Sequence, residues 1–340
     1  MNNIAITIGS MSIYWSAVII ALGVLACFAL TCALYLSHGG KIDAMFLLLT
    51  AGIILSVIFS RFMHWYCHEE QYAGLKAALT DYSIGGYCLP GVLLGTLLAA
   101  LLCGLLGFTG NVRRLLDCIA PGAALGIALI RLSALFNSSC RSKIVITNPA
   151  FQRLPLGSAI TSGSEVEYRF ATFFVQFLLM LVLCVCLLHF FYKHRRRRMK
   201  ADMPRDGHVA LMFLSWYSAI EVIMDSTRYD SSFVHSNGFV SLVQIIGGVC
   251  ILFVLVVYSV RSVKANGLRA YHWAMWVGWL LSFGCVGVAE YLVQRHGNWY
   301  LSCYFLMAIG CFMMAFITVL ARRTVCAKKR RRRREPVYED

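Results

Sequence analysis

Long apolar runs alternate with short polar connections along most of the 340-residue chain. A bilayer core of roughly 30 Å is crossed by a helix of about 20 consecutive apolar residues. Nine runs reach this length, at about 13–36, 44–65, 87–108, 115–137, 168–192, 208–227, 239–260, 271–293 and 299–321. The longest polar connection between them is the loop 138–167. The pattern therefore predicts an all-α, polytopic membrane protein with about nine spanning helices.

Composition agrees with this prediction, because 59% of the residues are hydrophobic and only 14% are charged. A typical soluble domain is about 45–50% apolar and about 25% charged, so these values exclude a large soluble or disordered domain. No Lys or Arg precedes the first apolar run, and no small-residue cleavage site follows it. We therefore expect a first spanning helix there rather than a signal peptide.

The positions of the basic residues predict the orientation in the membrane. The net charge is +15, and most Lys and Arg residues lie after the first, third, fifth, seventh and ninth runs, as in "KHRRRRMK" (193–200) and "KKRRRRR" (328–334). Cytoplasmic loops carry such an excess, so we expect the N-terminus outside and the C-terminus inside. The basic runs lack interleaved aromatic residues and any nucleic-acid-binding fold. We therefore expect them to contact anionic lipid, with no nucleic-acid partner.

Several ionisable residues lie within the predicted spans at a similar depth. Arg131 is about 16 residues into an outward-running span, or roughly 24 Å across the core, which places it in the outer leaflet. Arg61 ends the second span, and Glu221, Asp225 and Arg228 occupy the outer half of the sixth. Three spans thus deliver these five residues to one layer, and ionisable residues inside a membrane are usually functional.

The sixth predicted span carries its polar residues on one face. Glu221 lies four residues before Asp225 and four after Tyr217, and Arg228 follows Asp225 by three, which are the spacings of one helical face. One interpretation is a set of interhelical ion pairs that fixes packing. The other is a polar cavity that opens laterally to the outer leaflet, where arginines bind a lipid phosphate.

The fourteen cysteines form no CxxC pair and no cluster with metal-ligand spacing. Most lie in apolar runs, where a thiol behaves as a small hydrophobic group. We expect no metal and no cofactor. A disulfide among Cys67, Cys88, Cys140 and Cys303 is left open.

Several stretches, in the same order, resemble the prolipoprotein diacylglyceryl transferase family over most of residues 10–258. They are "AGIILSVIFSRFMHWY" (51–66), "IGGYCLPGVLLG" (84–95), "DCIAPGAALGIALIRLSALFN" (117–137), "DGHVALMFLSWYSAIEVIMDSTRYD" (206–230) and "LVQIIGG" (242–248). The stretch 117–137 is similar to the family signature, in which Arg131 and Asn137 match an arginine and an asparagine.

The resemblance implies a seven-helix transferase-like core at 1–260, two additional helices at 261–321 and a basic cytoplasmic tail at 322–340. It also implies a bacterial inner (plasma) membrane protein that moves diacylglyceryl from phosphatidylglycerol, or another anionic phospholipid, to the lipobox cysteine of a preprolipoprotein. For such a transferase, the candidate catalytic residues are Arg131, which would stabilise charge on the departing phosphate, and Asp225 or Glu221 as the proton acceptor. The candidate phosphate-binding residues are Arg61, Arg131, Asn137, Tyr217 and Arg228.

The sequence departs from the family pattern at two positions that bear on chemistry. Leu89 stands where the family has a histidine, and Glu221 replaces an arginine in the sixth helix. His64 and His68 lie on the same side of the membrane and are alternative proton acceptors. Cys88 is an alternative nucleophile, although an apolar setting disfavours its thiolate.

These departures leave two other functions open. The first is a catalytically degenerate family member that binds a lipid or a lipoprotein. The second is a small-ion transporter that uses Glu221 and Asp225, but the chain lacks the inverted repeats and broken helices typical of such proteins.

Overall fold

The computed structural model describes residues 4–8, 11–81, 85–137, 141–162, 165–198, 206–233, 238–296 and 300–332. Nine long helices and one short helix, α3, run through these ranges. They are α1 Trp15–Leu36, α2 Ile42–Cys67, α3 Leu75–Thr80, α4 Leu89–Leu105, α5 Val112–Leu132, α6 Thr172–Arg198, α7 His208–Ser226, α8 Leu242–Asn266, α9 Ala270–His296 and α10 Tyr300–Arg332. Eight are long and apolar enough to cross a membrane, and α4 is a shorter apolar helix of 17 residues. The predicted all-α, polytopic membrane fold is confirmed.

Small residues allow α4 to pack closely against α2. A Cβ atom at Gly91 would lie 2.4 Å from the backbone oxygen of Phe59, and one at Gly95 would lie 2.4 Å from the backbone nitrogen of Ser56. The four-residue spacing puts both glycines on one face of α4. Close backbone approach through small residues is a common way for membrane helices to associate. The contact holds the start of α4 beside the C-terminal end of α2.

Two buried apolar cores share α7. The first core contains side chains from α1, α2, α4, α5, α6 and α7, among them Leu115 and Met180. The second contains side chains from α7, α8, α9 and α10, among them Leu255 and Met307. The last two helices are therefore packed onto α7 and α8. The domain boundaries given for 1–260, 261–321 and 322–340 stay a prediction.

The start of α7 is capped by a side chain of α5. The buried carboxylate of Asp117 accepts hydrogen bonds from the backbone N–H groups of Gly207 (2.7 Å) and Ala210 (2.9 Å). The first N–H groups of a helix have no partner inside it, and a negative charge there is also favoured by the helix dipole. Asp117 therefore fixes the position of α7 along α5.

Two antiparallel hairpins occupy segments whose strands the hydrophobic pattern does not predict. Strands β1 (Ile4–Ile8) and β2 (Met11–Tyr14) pair at the N-terminus, and β3 (Gly157–Ser162) pairs with β4 (Glu165–Phe170) inside the polar loop 138–167. Because β2 and β4 run directly into the next helices, α1 begins at Trp15 and α6 at Thr172. The predicted starts of these spans, at about 13 and 168, were therefore too early.

Contacts between helix termini show which charges share one end of the bundle. Near the end of α10, the guanidinium carbon of Arg322 lies 4.2 Å from the ring centroid of Phe190 in α6. At the other end of α6, its first residue, Thr172, shares a hydrogen bond of 2.8 Å with Thr227, the residue that follows α7. The basic ends of α6 and α10 thus lie together, opposite the end of α7 that carries the acidic residues. The N-out, C-in orientation itself stays a prediction.

Candidate functional site

Arg131 lies in the last turn of α5 and forms an ion pair with Glu221 of α7. The Nη2 atom of Arg131 is 2.5 Å from Oε1 of Glu221, and the two residues are 6% and 2% exposed. A charged side chain in the apolar interior of a membrane protein is costly unless it has a partner. The pair therefore explains how an apolar span accommodates an arginine.

Glu221 binds two further side chains. The Nη1 atom of Arg228 is 3.7 Å from Oε1 of Glu221, and Nε2 of Gln176 donates a hydrogen bond to Oε2. Gln176 is fully buried in α6, so the carboxylate joins three helices. The sequence prediction omits Gln176. The signal that could have found it is a single amide side chain inside a long apolar run.

Asp225 lies one turn after Glu221 and is also buried. Its Oδ2 atom accepts a hydrogen bond of 2.5 Å from the hydroxyl of Ser241, and its Oδ1 atom is 3.7 Å from Nη1 of Arg228. Ser241 is at the same time the N-cap of α8, in a capping box with Gln244. Asp225 therefore connects the end of α7 to the start of α8.

Arg228 extends this group of charges toward the surface. Its Nε atom donates to Oδ1 of Asp230 at 2.9 Å, and its Nη2 atom donates to Oδ2 at 3.2 Å. The structure thus brings together four of the predicted site residues, and we call Arg131, Glu221, Asp225 and Arg228 the charged cluster.

Two buried polar atoms next to the charged cluster have no hydrogen-bond partner among the described residues. They are the hydroxyl of Tyr217, one turn before Glu221, and the Oε1 atom of Gln176. Buried polar atoms in native proteins are nearly always hydrogen-bonded. Both atoms therefore have unused hydrogen-bonding capacity beside the charged cluster.

Arg61 is fully buried at the end of α2 and holds the segment that leads into α4. Its Nε atom donates to the backbone oxygen of Ala78 at 2.7 Å, and its Nη2 atom donates to that of Asp81 at 2.5 Å. Its guanidinium also lies over the rings of Tyr72 and Tyr87. A cation is favourable at the carbonyl end of a helix, here α3. These contacts give Arg61 a role in fixing residues 72–81 and the ring of Tyr87, and its predicted role in phosphate binding stays a prediction.

Asn137 follows a 3-10 turn, Ser133–Phe136, that continues the helical path of α5. Its backbone oxygen accepts a hydrogen bond of 3.2 Å from Nη2 of Arg141. Asn137 is thus placed six residues beyond Arg131, at the same end of the bundle as the charged cluster. Its contact with a lipid phosphate stays a prediction.

Leu89, at the position of the family histidine, is the first residue of α4. The preceding Cys88 is buried, and its backbone N–H donates to the hydroxyl of Ser60 at 2.8 Å. Leu89 and Cys88, whose side chains are poor proton acceptors, therefore lie at the start of α4, where the family has its histidine.

His64 and His68 pack against the segment before α4. Their rings are stacked with centroids 4.4 Å apart, and Nδ1 of His64 shares a hydrogen bond of 2.9 Å with the hydroxyl of Tyr72. His64 also lies against Gly86, where φ is +127° and a Cβ atom would come within 2.3 Å of the imidazole. His64 thus packs against a residue that lies three positions before Leu89 in the chain, and its role as a proton acceptor stays a prediction.

A loop and the additional helices cover the end of α7. The backbone N–H of Lys143 donates to the backbone oxygen of Thr227 at 2.8 Å. In α9, buried Glu290 accepts hydrogen bonds from Ser226 (2.5 Å) and Gln294 (2.9 Å). Gln294 in turn accepts one from the ammonium of Lys143 at 3.2 Å. Burial lowers the pKa of Lys143, and the charges of Glu290 and Asp225 act in the opposite direction. The additional helices therefore support the residues next to Asp225.

The cysteines that were candidates for a disulfide are free thiols at positions 67, 88 and 303, while Cys140 lies outside the described residues. In the described part of the chain, no three His, Cys, Asp or Glu side chains are grouped so that they could hold a metal ion.

Comparison with known proteins identifies the family. The profile of the family "Prolipoprotein diacylglyceryl transferase" matches residues 3–258. A phosphatidylglycerol–prolipoprotein diacylglyceryl transferase of Clostridium kluyveri is 26% identical over 249 residues, which cover 73% of this chain and 92% of the relative. Proteins of the same name from Dehalococcoides mccartyi (25% identical; 68% and 84% covered) and Synechococcus elongatus (26%; 71% and 82%) are similarly related.

The matched region contains the charged cluster and ends within α8, so α9 and α10 lie beyond it. The resemblance seen in the sequence motifs is confirmed, and the chain belongs to the prolipoprotein diacylglyceryl transferase family.

Proposed function

We propose that this protein is an enzyme of the bacterial inner membrane that transfers diacylglyceryl from phosphatidylglycerol, or a related phospholipid, to the lipobox cysteine of a preprolipoprotein. The relatives carry the corresponding name. The observation that carries the proposal is the position of Arg131. The arginine of the signature stretch is buried next to a second guanidinium and two carboxylates, at the end of the bundle predicted to face the outer leaflet.

In the proposed reaction, the cysteine sulfur attacks the glycerol carbon that bears the phosphate. A C–S bond forms, the C–O bond breaks, and glycerol phosphate leaves with the bonding electron pair. Arg131 and Arg228 supply guanidinium groups, which suit a phosphate and stabilise negative charge on a leaving group.

The thiol proton requires an acceptor near the attacking sulfur. Both carboxylate oxygens of Glu221 are engaged, by Arg131 and Arg228 at Oε1 and by Gln176 at Oε2. At Asp225, the described contact of Oδ1 is the 3.7 Å approach of Arg228. We therefore assign the proton to Asp225, which has an oxygen less closely engaged than those of Glu221.

A catalytically degenerate protein that binds a lipid or a lipoprotein is the second candidate. It is favoured by Leu89, which cannot accept a proton at the start of α4, and by the engagement of Arg131 with Glu221. Of the two candidates, only the enzyme changes the mass of a lipobox peptide.

Mass spectrometry of a lipobox peptide, incubated with purified protein and phospholipid vesicles, tests the proposal. We expect a diacylglyceryl mass gain on the cysteine that is lost in Arg131→Ala and retained in Arg153→Ala, which removes an exposed arginine from the polar loop. Absence of the mass gain with folded wild-type protein and both phosphatidylglycerol and phosphatidylethanolamine vesicles would exclude the enzyme and favour the binding protein.

A further inference from the structure

Arg141 lies in the polar loop after α5 and is not among the site residues predicted from the sequence. An antiparallel bridge pairs the next residue, Ser142, with Arg228 of the charged cluster, and the backbone N–H of Tyr229 donates to the backbone oxygen of Arg141 at 2.8 Å. On the side of α5, the Nη2 atom of Arg141 donates to the backbone oxygen of Asn137 at 3.2 Å. Arg141 is therefore held at the rim of the charged cluster, between the ends of α5 and α7.

Three other arginines at this end of the bundle are each paired with a carboxylate. The pairs are Arg131 with Glu221 (2.5 Å), Arg228 with Asp230 (2.9 Å) and Arg169 with Glu167 (2.7 Å). Among the described residues, no carboxylate oxygen lies within 4 Å of the Arg141 guanidinium. The charge of Arg141 thus has no counter-ion in the described part of the protein.

The guanidinium of Arg141 also has hydrogen-bond donors that are not in use. A guanidinium carries five N–H donors, and the bond from Nη2 to the backbone of Asn137 uses one of them. The Nε atom is buried and has no hydrogen-bond partner among the described residues. Because buried polar atoms in native proteins are nearly always hydrogen-bonded, this geometry favours an acceptor that comes from a bound molecule.

The nearest cation along the loop, Lys143, is in a different position. Burial lowers the pKa of both Arg141 and Lys143, but at Lys143 the charges of Glu290 and Asp225 act in the opposite direction. The ammonium of Lys143 also donates to Gln294. A partly buried cation without a counter-ion is stabilised when an anion pairs with it. Arg141 is therefore the better candidate to bind an anionic ligand.

The lipid donor of the proposed reaction carries such an anion. The phosphate of phosphatidylglycerol has one negative charge at the head-group level, and Arg141 lies at the end of the bundle predicted to face the outer leaflet. The planar fork of an arginine matches two phosphate oxygens. A phosphate that binds Arg141 does not have to displace a described carboxylate, whereas one that binds Arg131 must compete with Glu221.

We propose that Arg141 binds the phosphate of phosphatidylglycerol and holds the lipid beside the charged cluster. This inference rests on the proposed function and adds a binding residue to it. Arg131 and Arg228 stabilise charge on the departing phosphate, while Arg141 binds the lipid equally in the ground state and in the transition state. Loss of such uniform binding raises KM and leaves kcat unchanged.

Steady-state kinetics test this role, with the mole fraction of phosphatidylglycerol varied in phosphatidylcholine vesicles. Arg141→Gln keeps an amide donor for the backbone oxygen of Asn137 and removes the charge. We expect its KM for phosphatidylglycerol to rise about tenfold or more at an unchanged kcat. Arg141→Lys keeps the charge without the fork, so its KM should rise less, and it serves as the test if Arg141→Gln does not fold. An unchanged KM, or a lower kcat at the same KM, would overturn the inference.

Arg153→Gln is the matched control, because it removes the charge of an exposed arginine from the same polar loop. Its KM for phosphatidylglycerol should equal that of wild type. An equal rise of KM in Arg153→Gln and Arg141→Gln would indicate a general attraction of the loop to anionic vesicles. That result would overturn the assignment of a phosphate site to Arg141.

A phosphate group at Arg141 can come from the lipid or from the glycerol phosphate that the reaction releases. Inhibition by added glycerol phosphate distinguishes the two sources. If Arg141→Gln weakens this inhibition but leaves the KM for phosphatidylglycerol unchanged, Arg141 binds the released product and the inference is wrong. A higher KM for the lipid supports the inference, whatever the inhibition.

Native mass spectrometry tests the same site without catalysis. From micelles that contain phosphatidylglycerol, Arg141→Gln should retain about tenfold less of this lipid than wild type or Arg153→Gln. Equal retention by all three proteins would overturn the inference even if the protein proved to be inactive. Absence of peptide modification by folded wild-type protein would instead overturn the proposed function, and the retention experiment would still decide whether Arg141 binds the lipid.

Discussion

Arg131 and Glu221 form a buried ion pair between α5 and α7, with 2.5 Å between Nη2 and Oε1. Asp117 sets the position of these two helices at the other end of α5, through its hydrogen bonds to the start of α7. The same pair of helices is thus joined at one end by a capping carboxylate and at the other by an ion pair. The pair is both a packing element and the centre of the candidate site.

Loss of either partner of this ion pair should destabilise the protein. We expect Arg131→Met and Glu221→Leu each to lower the free energy of unfolding by about 3–5 kcal/mol, because each leaves a buried charge without its main partner. The double variant should lose less than the sum, with a coupling energy of about 0.5–3 kcal/mol. Denaturant unfolding of the detergent-solubilised protein measures all three.

The exposed Arg153 provides the control for this double-mutant cycle. Arg153→Met should change the free energy of unfolding by less than about 0.5 kcal/mol. Additive effects of Arg131→Met and Glu221→Leu would mean that the two side chains are not coupled in solution.

Much of the fold follows from the hydrophobic pattern, because a bilayer imposes a minimum length on every spanning helix. The β3–β4 hairpin did not follow from it, since its pairs, such as Ile160 with Glu167, lie in short segments of mixed polarity. The start of α6 was consequently placed too early. Such register is set by turn geometry and by backbone pairing, which a span-length argument does not consider.

The candidate site was only partly accessible to sequence reasoning. Helix depth and spacing placed Arg131, Glu221, Asp225 and Arg228 in one layer, and the structure brings these four together. Depth alone does not determine which way a helix is rotated. The depth argument therefore grouped Arg61 with the other charged residues, although the observed contacts of Arg61 hold the segment before α4. It also gave no reason to include Gln176, whose only sequence signal is its polarity.

Asp117 should contribute to stability rather than to chemistry. Asp117→Ala removes the acceptor for the N–H groups of Gly207 and Ala210. We expect the free energy of unfolding to fall by about 0.5–2 kcal/mol, the usual effect of a lost N-cap. The transfer rate of the folded fraction should stay within about threefold of wild type, since the rate scales with transition-state contacts that Asp117 does not make.

Thermal unfolding and peptide modification on the same preparation separate these two effects. Asp117→Asn, which keeps one oxygen acceptor, should lie between Ala and wild type in stability. A large loss of rate in folded Asp117→Ala would contradict this expectation. It would show that the transfer reaction depends on the position of α7 that Asp117 sets.

Glu290 should connect the additional helices to the rest of the fold. Glu290→Leu removes the acceptor for Ser226 and Gln294 and a carboxylate whose charge favours the protonated form of Lys143. We expect a loss of about 1–3 kcal/mol in the free energy of unfolding, because these polar groups lose a buried partner. Ser282→Ala, which removes a hydroxyl that donates to the carbonyl of Gly278 in the same helix, should cost less than about 0.5 kcal/mol. Equal stability of the two variants would show that α9 is only loosely attached.

Substitution of Asp225 should lower the rate strongly while leaving most of the stability in place. In Asp225→Asn the amide oxygen can still accept the hydrogen bond from Ser241, so the helix contact is retained. The amide cannot take a proton from the thiol, and we expect the maximal transfer rate to fall by about 10²–10⁴-fold, the usual contribution of a positioned base. The KM for the lipobox peptide should change little, because binding does not depend on the proton acceptor.

Steady-state kinetics with the lipobox peptide, alongside thermal unfolding, tests this assignment. Asp43→Asn makes the same change in the first turn of α2, at the opposite end of the bundle, and should retain the wild-type rate. If Asp225→Asn also retains the rate, the proton must go elsewhere, and His64, which packs against Gly86 before the start of α4, becomes the acceptor to substitute next. A loss of rate accompanied by an equal loss of folded protein would instead assign Asp225 a purely structural role.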